Sequence, residues 1–256
     1  MKKDYFDLTG KVALVTGASS GLGIQFAKAL ANQGADIAIC ARRVEKLEET
    51  KKTIEAMGVK CYVHACDVTV VEQINETVKD VIAHYGKIDI LVNNAGLGWG
   101  APAESTTEEL WSTMMKTNID GVFYFAREVG RHMVERGYGK IINIGSIHST
   151  VCMNGSPISA YATTKGAVEM MTKALACEWA KKGVTVNAIG PAYFPSEMTG
   201  EFVETDVFTP VVQAYCPMGR VGKDGELDGA IIYFASDASS YTTGQLLTID
   251  GGWTTI

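Results

Sequence analysis

The 256-residue sequence has no C-x-x-C pair and no Cys/His cluster at zinc-ligand spacing, although it holds 6 cysteines. Cys40, Cys61, Cys66, Cys152, Cys177 and Cys216 fall mostly in apolar runs. That pattern argues against a disulfide framework or a metal centre and points to buried free thiols in a reducing cytoplasm. No apolar run reaches the roughly eighteen residues that a membrane span needs. The opening MKKDYFDLTGKVALV turns acidic after two lysines and holds only a short apolar strand, so it does not read as a signal peptide. An excess of positive charge is missing too. With 23 Lys+Arg against 29 Asp+Glu, the net charge is −6, which disfavours nucleic acid and anionic membranes as partners. Linkers, internal repeats and low-complexity stretches are absent, so 256 residues allow one large α/β domain or two small ones.

What is present is an alternation of apolar, β-branched runs with helical patterns. Val12–Thr16, Asp36–Ala41, Lys60–Ala65, Asp89–Val92, Lys140–Gly145, Val184–Gly190 and Leu246–Ile249 read as strands. They lack polar/apolar alternation, as expected of a parallel sheet covered on both faces. Val71, Ile74, Val78, Val81 and Ile82 form one helical apolar stripe, and Ile119, Val122, Phe123, Ala126 and Val129 another. The pattern predicts a single doubly wound, Rossmann-type α/β domain over residues 1–256, with about seven parallel strands and helices on both faces. Tyr193–Gly219, with Pro195, Pro210 and Pro217, shows no clear periodicity and reads as a substrate lid.

Chemistry enters with Tyr161 and Lys165. Of 10 tyrosines, only Tyr161 has Lys at +4, about one helical turn on, so phenol and ammonium share a face. A cation beside a phenol is expected to lower its pKa from about 10 and to make it a proton donor or acceptor for alcohol/ketone interconversion. Near the N-terminus, Thr16-Gly17-Ala18-Ser19-Ser20-Gly21-Leu22-Gly23 follows the first strand and opens the first helix. Its glycines suit a tight turn and close approach to a pyrophosphate at a helix N-terminus. After the second strand, where an acid would bond a ribose 2′-OH, stand Ala41, Arg42 and Arg43. Two cations at a helix start oppose the macrodipole, and a 2′-phosphate accounts for them. NADP(H) is therefore expected over NAD(H). Asp67, with Val68 beside it, faces the adenine or caps the next helix. Asn93-Asn94-Ala95-Gly96 ends the fourth strand, at the edge where ligands bind, or forms an Asx turn.

TGASSGLG, NNAG, Asn118, Ser146, YATTK at 161–165 and DGG at 250–252 together resemble the short-chain dehydrogenase/reductase family along essentially the whole chain. The resemblance implies that Tyr161 is the general acid/base and that Lys165 binds the nicotinamide ribose and lowers the Tyr161 pKa. It further implies that Ser146 bonds the substrate oxygen and that Asn118 holds a water in a proton relay. Cofactor contacts would come from Gly17, Ser19, Ser20, Gly21, Leu22, Gly23, Arg42, Arg43, Asp67, Val68, Asn94, Ala95, Gly96, Tyr161, Lys165, Pro191 and Ser196. A soluble cytoplasmic homo-oligomer, commonly a tetramer, with a small-molecule substrate is the family expectation. RHMVER at 131–136, GKIINI at 139–144 and PxYFxxEMT at 191–199 are similar to the gluconate 5-dehydrogenase-like branch. Two departures stand out. Pro191-Ala192 replaces the usual Pro-Gly, and the fifteen positions from Ser146 to Tyr161 exceed the family spacing by about two, the extra length falling in His148–Pro157.

The expected walls are Leu97–Glu104, Ile147–Ala160 and the lid, and none contains Lys or Arg. The lid carries Glu197, Glu201, Glu204 and Asp206 instead. A buried anion without a cation costs several kcal/mol, so phosphorylated substrates and acyl-carrier-protein thioesters are disfavoured, and sugar acids to a lesser degree. Trp99, Met153, Tyr193, Phe194, Met198, Phe202, Phe208 and Tyr215 suggest an apolar lining, while His148, Ser149 and Asn154 are placed to orient hydroxyls. The expectation is a bulky, largely apolar secondary alcohol or ketone such as a hydroxysteroid. The alternative is a sugar acid or polyol of the gluconate 5-dehydrogenase type.

Overall fold

A computed structural model describes residues 4–200, 203 and 205–255. Seven strands form one parallel sheet in the order β3-β2-β1-β4-β5-β6-β7. They are β1 (Val12–Thr16), β2 (Asp36–Ala41), β3 (Cys61–Ala65), β4 (Ile90–Asn93), β5 (Gly139–Ile144), β6 (Val184–Pro191) and β7 (Leu246–Ile249). Every strand run read from the sequence is a strand, with ends displaced by a residue at β3, β4, β5 and β6. At β3 the displacement has a visible cause: the Lys60 amide bonds the Asp36 carboxylate at 2.9 Å.

Strand side chains alternate between two cores, because successive Cβ atoms point to opposite faces. Ala13, Val15, Ile37, Ile39, Val92 and Ile142 join Phe26 and Leu30 of α1 (Gly21–Asn32), Leu47 and Ile54 of α2 (Val44–Glu55) and Phe234 of α8 (Asp228–Ala235). Leu14, Ala38, Leu91, Ile141 and Val186 face the other way. They meet Ile74, Val78 and Val81 of α3 (Val71–Tyr85), Phe125, Val129 and Met133 of α5 (Gly121–Arg136) and Leu175 of α6 (Ser159–Trp179). Both faces are covered, which is why the central strands read as unbroken apolar runs. The stripe expected on α5 needs one correction. Phe125, not Phe123, packs inward, and Phe123 is exposed.

Chain order reverses between β1 and β4, so a crevice opens at the carboxyl ends of those strands, where ligands bind in such sheets. Segment 193–219 is less irregular than its sequence suggests. Thr209–Tyr215 forms a short helix (α7) with Pro210 in its first turn, too brief for its periodicity to be read. Of the described segments on that crevice, α4 (Glu108–Met115) precedes a π-helical turn at Lys116–Asp120. Cys40, Cys61, Cys66 and Cys216 are buried thiols, whereas Cys152 and Cys177 are exposed. No helix among the described residues is long and apolar enough to cross a membrane.

Candidate active site

Tyr161 and Lys165 occupy the first two turns of α6, and Ser146 sits just beyond the end of β5. The loop after β5 closes on itself and on α6. Ser146 Oγ accepts the His148 amide at 3.1 Å, the Ser146 amide meets Ser149 Oγ at 3.3 Å, and Ser149 Oγ donates to the Lys165 carbonyl at 2.9 Å. These bonds turn Ser146 towards the Tyr161 phenol, close enough to pull its pKa down. The extra residues in the loop therefore leave the serine and tyrosine oxygens together. Lys165 lies beneath, 7% exposed, its Nζ donating to the Ile144 carbonyl at 2.7 Å and standing 5.7 Å from the Tyr161 ring centre.

Burial sets the electrostatics. Removing the ammonium from water lowers Lys165 to about 8. The Tyr161 phenol is pushed up, since burial outweighs the Ser146 hydrogen bond that pulls it down. This corrects the expected direction at Tyr161. Within the chain itself, desolvation dominates and the neighbouring lysine does not bring the phenol down.

Asn118 lies in the π-helical turn, a local widening that often marks functional sites. Its side chain clamps the segment after Asn93-Asn94-Ala95-Gly96. Oδ1 accepts the Leu97 amide at 2.8 Å, while Nδ2 donates to the Leu97 carbonyl at 2.8 Å and to Thr164 Oγ1 at 3.0 Å. A Cβ on Gly96 would lie 3.4 Å from Asn118 Oδ1 and 3.8 Å from Lys165 Nζ, so the three converge. At Gly98 an added Cβ would meet Met198 Sδ at 2.9 Å and Tyr161 Cε2 at 3.7 Å, which places Met198 near the Tyr161 ring.

The phosphate end is built on β1 and α1. Gly17 has φ +70, and a Cβ there would sit 2.8 Å from Ala95 Cα. At Gly23 a Cβ would lie 2.6 Å from Asn94 Nδ2. Side chains at either position would force this loop off the Asn94-Ala95 strand end. Thr16, which sequence reading assigned no role, ties the two together: its hydroxyl accepts the Asn94 and Ala95 amides at 3.1 and 3.0 Å. Asn94 Nδ2 returns bonds to the Thr16 and Gly17 carbonyls at 2.9 and 3.3 Å, so Asn94 shapes the loop.

Helix α1 begins at Ser20 with no side-chain cap and no acid in its first turn, leaving its amides open to an anion. Arg43 reaches this point. Its guanidinium bonds Ser20 Oγ at 2.9 Å and Ser19 Oγ at 3.3 Å, and pairs through two nitrogens with Glu197 at 2.8 and 2.7 Å. Arg42 is exposed and makes no ion pair among the described residues. The expected pair of cations is thus one placed arginine and one peripheral one. An open helix N-terminus, a guanidinium beside it and Ala41 in place of an acid fit a 2′-phosphorylated dinucleotide. Asp67 does not cap α3, whose N-cap is Val70 with no side-chain bond; its Oδ1 instead accepts the Thr69 amide and hydroxyl at 2.9 and 2.7 Å in the turn before that helix. Val68 packs against Gly121, where a Cβ would lie 2.8 Å from its carbonyl oxygen. Pro191 ends β6, and Ser196 comes over the glycine-rich turn, its Cβ 3.4 Å from where one on Gly21 would be.

Most aromatics of segment 193–219 pack on protein, although Tyr193 and Phe194 also border a cavity of about 300 Å³ with Met218, Ile249 and Trp253. Phe194 belongs to the core beside α1 and α8, and Phe208 is buried. Tyr215 stacks on Trp253 at 5.9 Å, while Tyr193 meets Phe208 at 4.7 Å and Trp253 at 5.1 Å. These rings fasten Tyr193, Phe208 and Tyr215 to Trp253 in the C-terminal turn. Trp99 and Met198 remain exposed towards solvent, and Phe202, Glu201 and Glu204 lie outside the described residues.

Residues 17–254 match the family model described as Enoyl-(Acyl carrier protein) reductase. The chain is 41% identical over 251 residues to a gluconate 5-dehydrogenase of Gluconobacter oxydans, covering 98% of this chain and 97% of that protein. It is 38% identical to a galactitol 2-dehydrogenase (L-tagatose-forming) of Cereibacter sphaeroides, with 98% of each covered. A crystal structure of a gluconate 5-dehydrogenase from Burkholderia cenocepacia in complex with NADP and tartrate superposes with a TM-score of 0.94 at 40% identity, covering 99% of this chain and 98% of that one.

Proposed function

The chain belongs to the short-chain dehydrogenase/reductase family, and from that premise we propose that it is an NADP(H)-dependent oxidoreductase interconverting a secondary alcohol and a ketone on a sugar acid or polyol. The observation that carries the reaction class is the Ser146–Tyr161–Lys165 cluster at the carboxyl edge of the sheet, with Ser146 and Lys165 buried and Tyr161 half-buried. The hydroxysteroid expectation is withdrawn. The rings it relied on pack the lid, and the relatives at 41% and 38% identity act, by name, on gluconate and galactitol.

Gly17 to Gly23 and the open start of α1 would hold the pyrophosphate, Arg43 the 2′-phosphate, and Lys165, Pro191 and Ser196 the nicotinamide half, with Asn94-Ala95-Gly96 forming the floor. The bound cofactor supplies the hydride carrier. Ser146 donates to the substrate oxygen and fixes it beside Tyr161. In oxidation the Tyr161 phenolate takes the hydroxyl proton as the carbinol carbon gives up its hydride, and in reduction the phenol returns it. Lys165 holds positive charge next to that proton. Asn118, clamped to Leu97, keeps the adjacent backbone in place for a water leading from Lys165 to solvent. The lid, residues 193–219, covers the cleft. Exposed Trp111 on α4, Phe123 on α5 and Met170 on α6 support a homo-oligomer assembled through these helices, which sedimentation at micromolar concentration tests. For the activity, the test is NADP+- and NAD+-linked oxidation of gluconate, hexitols and hydroxysteroids by the purified protein. Turnover of a hexitol or sugar acid with NADP+ preferred is expected, and turnover of hydroxysteroids alone would overturn the reading.

A further inference from the structure

Resting on that reading, we propose that His148 and Tyr193 form a hydroxyl-recognition pair that makes the substrate a neutral polyol, with a free hydroxyl beside the carbon that is oxidised. His148 is 7% exposed and stands between two phenols, its ring centre 6.2 Å from Tyr161 and 6.2 Å from Tyr193, edge-on to both. Its backbone amide is bonded to Ser146 Oγ at 3.1 Å. The His148 backbone is thus tied to Ser146, the residue proposed to position the reacting oxygen.

The ring has one tautomer available when neutral. Nδ1 lies 3.0 Å from the Val151 carbonyl, which can only accept, so Nδ1 carries the hydrogen and Nε2 presents a lone pair. Burial lowers the pKa of this histidine and keeps it neutral. Nε2 meets the Tyr193 hydroxyl at 3.3 Å, a long contact for an O–H donor. Among the described residues the Tyr193 oxygen otherwise reaches only Met153 Sδ, at 3.9 Å. Two polar atoms, loosely joined and close to Tyr161, can accept a substrate hydroxyl proton and donate one in return.

Charge excludes the carboxylate. None of the three wall segments contains Lys or Arg. Arg220, which directly follows the lid, is bound to Glu226 at 2.8 and 2.7 Å, and Arg43 is at the far end with Glu197. Lys165 is committed to the Ile144 carbonyl beneath Tyr161. An anionic head buried against this wall would lack a partner, whereas a hydroxylated chain meets neutral donors and acceptors.

The test measures kcat/KM with NADP+ for a hexitol, gluconate and cyclohexanol, using the wild-type protein, His148→Phe, His148→Gln and Tyr193→Phe. The wild-type protein is expected to prefer hexitol to gluconate. His148→Phe and Tyr193→Phe should each lower the hexitol value roughly tenfold or more, mainly through KM, and the cyclohexanol value much less. His148→Gln, which restores an amide donor and acceptor, should recover part of the loss. Should His148→Phe fail to fold, judged by NADPH binding, Tyr193→Phe and His148→Gln carry the comparison. Equal losses on hexitol and cyclohexanol, or a wild-type preference for gluconate, would overturn the pair's role while leaving the proposed function standing. A wild-type protein that oxidises neither hexitol nor gluconate would overturn that function itself.

Discussion

Lys165 and Arg43 are the two cations assigned to the cofactor, and they stand on opposite electrostatic terms. Lys165 is buried under Tyr161 with a single carbonyl partner, and desolvation drags it down to about 8. Arg43 stands in water at the other end of the cleft, 42% exposed, pinned between two serine hydroxyls and the Glu197 carboxylate. The end proposed to react keeps a costly, poorly solvated charge, because a low dielectric makes every local interaction count. The other end keeps a half-exposed charge whose partner can be exchanged, because exposed ion pairs are individually weak. Catalysis and cofactor choice should therefore respond to mutation on very different scales.

The largest effect belongs at the buried end. Tyr161→Phe removes the transferable proton and little else, and should lower kcat by about 10²- to 10⁴-fold. NADPH binding, read by fluorescence titration, should be almost unchanged. Retention of most of the turnover would place the proton transfer on another group. The pH profile sharpens the same point. Since burial raises the Tyr161 pKa, oxidation of alcohol should gain rate as pH rises through the alkaline range, whereas reduction should not.

Lys165→Met separates function from stability. It should lower both kcat and NADP(H) affinity, yet raise the melting temperature of the cofactor-free protein at pH 7. The folded pKa, about 8, lies below the ordinary lysine value of 10.5, so the unfolded chain binds more protons between those values. Stability then rises with pH across that window, and below about pH 8 the buried charge costs on the order of 3 kcal/mol in full. A cofactor-free Lys165→Met protein melting lower than wild type would show that the bond to Ile144 outweighs the desolvation.

At the exposed end, Arg43→Ala should weaken NADP(H) roughly tenfold to a hundredfold, the scale of charge-assisted hydrogen bonds to phosphate, and NAD(H) much less. Arg42→Ala should do distinctly less than Arg43→Ala, since Arg42 lies outside the Ser19–Ser20 cluster. The sequence placed both arginines at the right turn but could not rank them. Ranking required knowing which side chain folds back on α1.

The same limit runs through the molecule. The sheet was legible because buried parallel strands read as unbroken β-branched runs, and Tyr161 and Lys165 because one helical turn is four residues. Ser146 and Asn118 were legible only through family resemblance. The sign of the Tyr161 shift was not, since desolvation depends on what covers the phenol. Nor was the use of Phe194, Phe208 and Tyr215: an aromatic run does not say whether its rings face a ligand or Trp253. His148 was visible as a polar residue in a wall, while its place between Tyr161 and Tyr193 depends on a loop meeting the lid 45 positions away.

The smallest predicted effect has the most to say about the exposed end. Glu197 comes from the lid, 154 positions from Arg43, and its carboxylate occupies the guanidinium that a 2′-phosphate needs. Lys46 stands 3.9 Å from the same carboxylate, and the pairing holds Glu197 at about 2, so it stays ionised at any working pH. An incoming 2′-phosphate must share Arg43 with this anion or displace it, and NAD(H) meets no such competition. Removing the charge but keeping the shape, Glu197→Gln should tighten NADP+ by about two- to fivefold, the scale of an exposed ion pair, and leave NAD+ within error. The gain should shrink as ionic strength rises, because salt already screens the competing carboxylate. Weaker NADP+ binding in Glu197→Gln would reverse the assignment, making Glu197 a residue that aligns Arg43 for the phosphate.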